Sequence, residues 1–286
     1  MILLADSGST KTHWALMAAN GQCSEMYTDG INPIFQSEDS IRQTLTDQLL
    51  PQMGQLLWAG TITHVFFYGA GCTPEKISFL IAALQSVFRD ARAEVYSDMV
   101  GAARGMLGHQ RGVVCILGTG SNSCLWDGIK IEKNVPALGF ILGDEGSGAA
   151  LGKRLVADLL KNQLGDDLKH QFLTEYDLTQ ADIIEHVYRQ AFPNRFLAGL
   201  SRFCANHLDD SRVAHLVHDH FEQFVVRILQ QYPSELPVSF VGSVAYYYRS
   251  TLENVLQEHG ISLGQIVIDP VEGLRRYHRI DCQPTM

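Results

Sequence analysis

Apolar residues gather in short runs along the chain, and the stretches between them repeat apolar positions every three to four residues. ILLA at 2–5, HVFFYG at 64–69, AEVYS at 93–97, GVVCIL at 112–117, VSFVG at 238–242 and QIVI at 265–268 have the length and the β-branched or aromatic content of strands. Segments 75–88 (Ile77, Leu80, Ile81, Leu84, Phe88), 213–231 and 243–258 carry helical spacing instead. This alternation predicts an α/β fold.

Two connections depart from it. After ILLA, HWALMAANGQCSEMYTDG places Asn20-Gly21 between two runs of strand length, which predicts an antiparallel hairpin. GVVCIL is followed by GTGSNS and then by CLWDGIKIE, with Asp127-Gly128 as the turn. A strand, a bend of small residues and a hairpin thus occur twice, so two similar domains are expected, residues 1–107 and 108–269, with the boundary near Gly105 to Arg111. Residues 146–232 read as almost wholly helical, an insertion in the second domain, with a capping signal at Thr179 and Asp182. DPVEGLRRYH reads as a helix starting by Pro270, and 270–286 is expected to pack back on the first domain.

A chain of 286 residues with 46% hydrophobic content can build the cores this plan needs. Its net charge of −9 argues against nucleic acid or an anionic membrane surface as partner, and favours a small ligand. Six cysteines without a CxxC pair read as reduced core thiols. The first apolar run meets Asp6 too early for a signal peptide, and no run reaches membrane-spanning length, so a cytoplasmic protein is expected.

Four stretches hold the candidate chemistry. Asp6 is followed by Gly8, Ser9, Thr10, Lys11 and Thr12. Such a bend offers a triphosphate close backbone approach, hydroxyl donors and a cation, with Asp6 placed to hold Mg²⁺ through water. A Walker A loop would need GxxxxGK[ST] opening a helix; here Lys11 follows Thr10 and the continuation is strand-like. The second bend is Gly118, Thr119, Gly120, Ser121 and Asn122, and it lacks the GxGxxG-helix context of a dinucleotide site. Paired with the first, it predicts a second set of phosphate donors. Asp98 ends a strand ahead of a small-residue helix, a position that serves either a cleft or a helix cap. Asp144 lies in LGDEGSG, where flanking glycines allow close approach to a ligand, with helix capping as the other use. HLVHDH, His215 to His220, suggests a metal site, but its spacing fits a solvated helix face better.

Together these stretches resemble the sugar kinase, Hsp70 and actin superfold, and within it the N-acetylglucosamine kinase branch of the BadF/BadG/BcrA/BcrD ATPase family. ADSGSTKT resembles its first phosphate motif, LGTGSN its second, SDMVGAA its aspartate-bearing substrate motif, GDEGSGA its connecting motif and VGSVA at 241–245 its adenosine motif. The resemblance implies two ribonuclease H-like (actin-like ATPase) domains with an interdomain cleft, and an ATP- and Mg²⁺-dependent kinase of an amino sugar, N-acetylglucosamine at O6 foremost. It implies Asp98 as catalytic base, Asp6 near the metal, and Gly118, Thr119 and Gly120 on the phosphates. Gly242, Ser243 and Ala245 would lie beside adenosine, and Asn32, Asn122 and Asp144 on the sugar. A homodimer is compatible with this reading. Two alternatives share the superfold: an ATPase activator of an acyl-CoA dehydratase, which needs converging thiolates for an iron–sulfur cluster, and a non-catalytic sugar-binding regulator.

Overall fold

Six short apolar runs become the parallel strands around which the protein is built. The computed structural model describes residues 1–8, 10–18, 22–54 and 61–281; Ser9, the Asn20-Gly21 turn and Cys282 lie outside the described residues. The chain divides into unit 1, Met1–Arg111, Trp126–Ile131 and Asp269–Met286, and unit 2, Gly112–Leu125 and Glu132–Ile268.

In unit 1 the strands are β1 (Ile2–Ser7), β2 (Lys11–Met17), β3 (Cys23–Asp29), β4 (His64–Gly69) and β5 (Arg92–Ser97), in the order β3-β2-β1-β4-β5. β2 is antiparallel to β1 and to β3, while β4 runs parallel to β1 and β5 parallel to β4. Unit 2 repeats the plan as β10-β9-β6-β7-β8, from β6 (Gly112–Leu117), β7 (Ser121–Trp126), β8 (Ile131–Asn134), β9 (Val238–Val241) and β10 (Leu263–Val267). β9 runs parallel to both β6 and β10. Two α/β units with this shared strand order are the fold class that the repeated pattern predicts.

Strand alternation sets the layers of unit 1. Leu3, Ala5, Trp14, Phe67 and Val95 pack on one face with Leu80 and Leu84 of the helix Pro74–Val87. Leu4, Ala15, Met17, Phe66 and Tyr68 pack on the other with Val271 and Leu274 of the helix Val271–Asp281. That last helix crosses the helix Asp98–Leu107 at Gly105 and Gly273, where a Cβ on Gly273 would collide with the Gly105 carbonyl. A buried polar cluster ties it down: Arg104 donates to the Tyr68 hydroxyl at 3.0 Å, and that hydroxyl lies 2.7 Å from His278 Nε2. Burial, followed by the charge of Arg104, pulls the His278 pKa down to about 3, so this imidazole is neutral.

Unit 2 carries its own core of Leu117, Leu151, Phe203, Phe221, Phe224 and Phe240, much of it supplied by the helical stretch between β8 and β9. The Thr179–Asp182 capping box forms as the sequence suggests. Segment 243–258 is two helices, Ser243–Tyr247 and Arg249–Glu258, rather than the single one its spacing predicts, because Tyr248 turns inward and its hydroxyl donates to the Ser201 carbonyl at 2.6 Å. In HLVHDH, His215 and His218 pair with Asp219 and Glu258. His220, however, is buried rather than solvated, because it falls on the apolar stripe with Val213, Val217, Phe221 and Phe224; burial pulls its pKa down to about 4. Among the described residues no helix is long and apolar enough to cross a membrane.

Candidate active site

Parallel strands direct whatever follows them to one edge of the sheet, where open α/β sheets present their ligand groups. In unit 1, Ser7, Gly69 and Ser97 are register partners at the ends of β1, β4 and β5, so Asp6, the loop after Gly69 and Asp98 share that edge. Ser97 caps the helix Asp98–Leu107, its Oγ accepting from the Val100 amide at 3.3 Å. Asp98 is therefore the first residue of the helix and not its cap. Its Oδ1 accepts from its neighbour Met99 N at 2.8 Å. Burial raises the Asp98 carboxyl above the usual carboxylate range. Burial first, then the charges of Asp269 and Asp98, push the Asp6 carboxyl up to about 7, against the pull of His13 and Lys11.

Asp269 and His13 complete this acidic group without any motif to announce them. Asp6 and His13 are cross-strand partners, and His13 Nδ1 lies 3.3 Å from Asp269 Oδ2. Burial opposes the charged form of each, but their mutual hydrogen bond and charge outweigh it, raising the His13 pKa and lowering that of Asp269. The local signal in the sequence was an acid directly before a helix-starting proline, and a histidine on an otherwise apolar strand. Asn32 lies by the loop after β4: a Cβ on Gly71, which has φ +77°, would collide with the Asn32 carboxamide. Asn32 Oδ1 also accepts from the Ile34 amide at 3.0 Å. In the same loop Cys72 is buried, and burial followed by the charge of Asp98 pushes its thiol up to about 12.

The first bend divides into two kinds of residue. Gly8 N donates to Lys11 O at 3.0 Å and closes it, while Gly8, Thr10 and Lys11 are exposed. Thr12 is fully buried, and its hydroxyl is shared with Ser7 Oγ at 2.7 Å and Asp29 O at 3.1 Å. Ser7 in turn donates to Ile31 O at 2.9 Å, which ties the bend to the segment carrying Asn32. Thr12 thus stands behind the bend as a support, while the exposed Lys11 carries its ammonium over the Tyr27 ring, 5.1 Å from the ring centroid.

In unit 2, Gly118 N donates to Gly120 O at 3.0 Å, the counterpart of the Gly8 closure. Gly118 O and Thr119 O accept from the first amides of the helix Gly148–Leu160, at 2.8 and 3.1 Å. The Asp144 carboxylate accepts from the Ser121 amide, though burial is the larger influence and leaves its pKa raised. Asn122 Oδ1 is taken by Ser123 N and Asn134 Nδ2, both at 2.9 Å. Gly242, at φ +121°, brings the end of β9 so close to Leu117 that any Cβ would strike the Leu117 carbonyl. Gly118, Thr119, Gly120, Ser121, Asp144, Gly242 and Ser243 are thereby brought together, whereas Ala245 is fully buried behind them. A cavity of about 420 Å³ opens beside the bend, lined by Gly118, Thr119 and Ser243, and also by Gly199, Arg202, Asn206 and Tyr247, which sequence patterns did not single out. Gly199, Arg202 and Asn206 lie in a stretch that carries helical periodicity and nothing else, and Tyr247 lies just past VGSVA.

The donor chemistry of unit 1 fits a hard divalent cation. Asp6 is a carboxyl crowded by like charges, and magnesium takes only one or two carboxylates while keeping water. Among the described residues no three His, Cys, Asp or Glu side chains converge as a full cage, which magnesium does not require. In unit 2 burial raises the thiols of Cys115 and Cys124, the latter to about 12, the opposite of what cluster thiolates need.

No family model matches the chain. A solved structure from Porphyromonas gingivalis, provisionally named an N-acetylglucosamine kinase, is 49% identical, covers 98% of this chain and 99% of its own, and superposes with a TM-score of 0.94. A curated Clostridium acetobutylicum protein, N-acetylmuramic acid/N-acetylglucosamine kinase, is 24% identical over 208 residues, 69% of this chain and 67% of its own. A ROK-family glucokinase from Streptomyces griseus, solved with glucose and AMPPNP, matches at 15% identity over 97% and 98% of the two chains, with a TM-score of 0.56, and shows the shared fold alone.

Proposed function

We propose, from the premise that this chain belongs to the same family as the Porphyromonas gingivalis protein, that it is an ATP-dependent kinase of an amino sugar, with N-acetylglucosamine phosphorylated at O6. The observation that carries the reading is Asp98: an acid recessed at the shared ends of parallel strands, in a chain 49% identical along its length to a protein provisionally named for that activity.

Phosphoryl transfer needs little covalent help from a protein; it needs the acceptor positioned and the charge on the transferred group stabilised. Asp98 takes the proton of the sugar hydroxyl as the hydroxyl oxygen forms its bond to the γ-phosphorus, while the bond to the bridging β,γ-oxygen breaks and ADP leaves. Burial favours this transfer, because a carboxylate held above its usual pKa is a better base. Thr10 and Lys11 supply a hydroxyl and a positive charge to the phosphates, with Gly118, Thr119, Gly120 and Ser121 on the nucleotide from the second bend. Asn32, Asn122 and Asp144 hold sugar hydroxyls. Asp6 would hold magnesium, which when bound offsets phosphate charge. Ser243 borders the nucleoside, with Gly242 setting the approach and Ala245 supporting it. The substrates are small soluble molecules, in keeping with a cytoplasmic enzyme.

The test is an ADP-release assay over neutral and amino sugars. Release that depends on N-acetylglucosamine, with phosphate recovered on O6, supports the reading; release indifferent to every sugar removes it.

A further inference from the structure

The helix Ser211–Arg227 holds a buried histidine that the proposed chemistry does not use. His220 is 5% exposed, and its Nε2 is buried with no hydrogen-bond partner. A leucine would fill the same place on this apolar stripe without leaving a nitrogen unpaired, so the ring is kept at some expense to stability. Burial, the largest influence, keeps the ring neutral. It acts against hydrogen bonds to the Gly146 and Ser147 main chain, which favour the charged ring and are therefore made to carbonyl oxygens. With Nε2 unpartnered, the donor facing those carbonyls is Nδ1.

Two more residues of the same helix face reach the same loop. Phe224, four positions on, packs so closely against Gly146, which has φ +82°, that a Cβ there would collide with its ring. Arg227, seven positions on, places Nη1 3.2 Å from Glu145 Oε1. Positions i, i+4 and i+7 of one helix thus all meet residues 145–147.

That loop carries Asp144. At φ +58° Asp144 occupies the left-handed region that favours glycine, a conformation that persists only where the surroundings impose it. Its amide donates to Ala137 O at 2.8 Å, its carbonyl accepts from Ser147 N at 3.0 Å, and its carboxylate accepts from the Ser121 amide. The helix Gly148–Leu160 that follows has its own anchors: Gly148 fits tightly against Ala198, and a Cβ on Gly152 would collide with the Leu197 carbonyl. Slack introduced beneath 145–147 therefore reaches Asp144 before it reaches the Gly118 and Thr119 carbonyls that this helix clasps.

We propose that His220 is a positioning residue: together with Phe224 it sets the loop 144–147 from beneath and so aims Asp144 at the acceptor sugar, while the clasp on Gly118 and Thr119 is set separately. The sugar's part in this rests on the kinase reading; the hold on the loop does not.

The test compares the full unaltered chain with His220→Leu, which removes the donor at similar volume, His220→Asn, which keeps a donor near the Nδ1 position, and Arg227→Ala. In ADP release driven by N-acetylglucosamine, His220→Leu should raise the KM for the sugar at least about tenfold and leave the KM for ATP within about threefold. Its Tm should stay within about 4 °C, because losing the donor and losing the unpaired Nε2 offset each other. The Asp144 and Ser147 amides, both bonded in the unaltered chain, should exchange with deuterium at least about tenfold faster. His220→Asn should bring the sugar KM and the exchange back to within about threefold. Arg227→Ala should move either by less than about threefold, since an exposed ion pair holds little.

A His220→Leu chain whose sugar KM and exchange match those of the unaltered one overturns the proposal. So does one whose two KM values rise together or whose Tm falls with its sugar affinity, the marks of an ordinary core residue. Failure of asparagine to do better than leucine, or an Arg227→Ala effect as large as that of His220→Leu, overturns it as well. If no sugar drives ADP release from the unaltered chain, the kinase reading falls, and the exchange rates alone decide whether His220 holds the loop.

Discussion

The two small-residue bends occupy equivalent places in two sheets of the same strand order, yet they are held in different ways. Around Asp6 the supports are side chains: Ser7 and Thr12 spend their hydroxyls on each other and on Ile31 and Asp29, beneath a crowded group of acids. Around Gly118 the supports are backbone: two carbonyls dock on the first amides of a helix, and Gly242 closes up against Leu117. A bend stitched by buried hydroxyls can carry charged side chains above it. One stitched by main chain can leave its glycines bare toward a ligand. The same topology thus yields one bend stitched by side-chain hydroxyls and one stitched by main chain.

Substitutions can separate the halves. The largest expected effect is Asp98→Asn: sugar-dependent ADP release should fall at least about 10²-fold while nucleotide affinity is retained. Undiminished turnover would place the base elsewhere. Gly118→Ala adds a methyl where the structure has nothing within 4 Å. It should raise the KM for ATP about tenfold without moving the Tm, and a Tm that drops instead would mean the second bend is not bare. Ser7→Ala strips the stitching of the first bend and should cost about 1–3 kcal/mol of stability by calorimetry, since Thr12 and the Ile31 amide lose a buried partner.

The last effect, the smallest near neutral pH, is an acid sensitivity located in unit 1. His278 is buried and neutral, with a pKa near 3, whereas the unfolded chain protonates at the usual 6.5. Below pH 6.5 the unfolded state binds the extra proton, so stability falls as pH drops toward 3, at most about 1.4 kcal/mol per pH unit. His278→Gln should flatten the acid limb of a stability-versus-pH curve by about one proton. An unchanged limb would mean that other groups set it.

Much of the fold was legible because strand runs and helical spacing are local patterns. β4 and β6 occupy the very spans their apolar runs mark out, and the doubled strand, bend and hairpin announced the doubled unit. Where local spacing and tertiary packing competed, packing won: Tyr248 broke a periodic helix to reach Ser201, and His220 went inside because its position lay on the buried stripe. The candidate site was legible where a rare residue combination falls in a short span, as at 6–12 and 118–122.

By itself the sequence determined the strands, the two bends and the acids they deliver, because those depend on side-chain volume and periodicity over a few residues. Only the tertiary structure decided that Thr12 supports rather than faces the bend, that Asp269 joins Asp6 through His13, and that Arg202, Asn206 and Tyr247 share one cavity. Those facts depend on which hydroxyls find partners and which distant segments meet. Burial and hydrogen bonding settle such matters across the whole chain, and no local pattern encodes them.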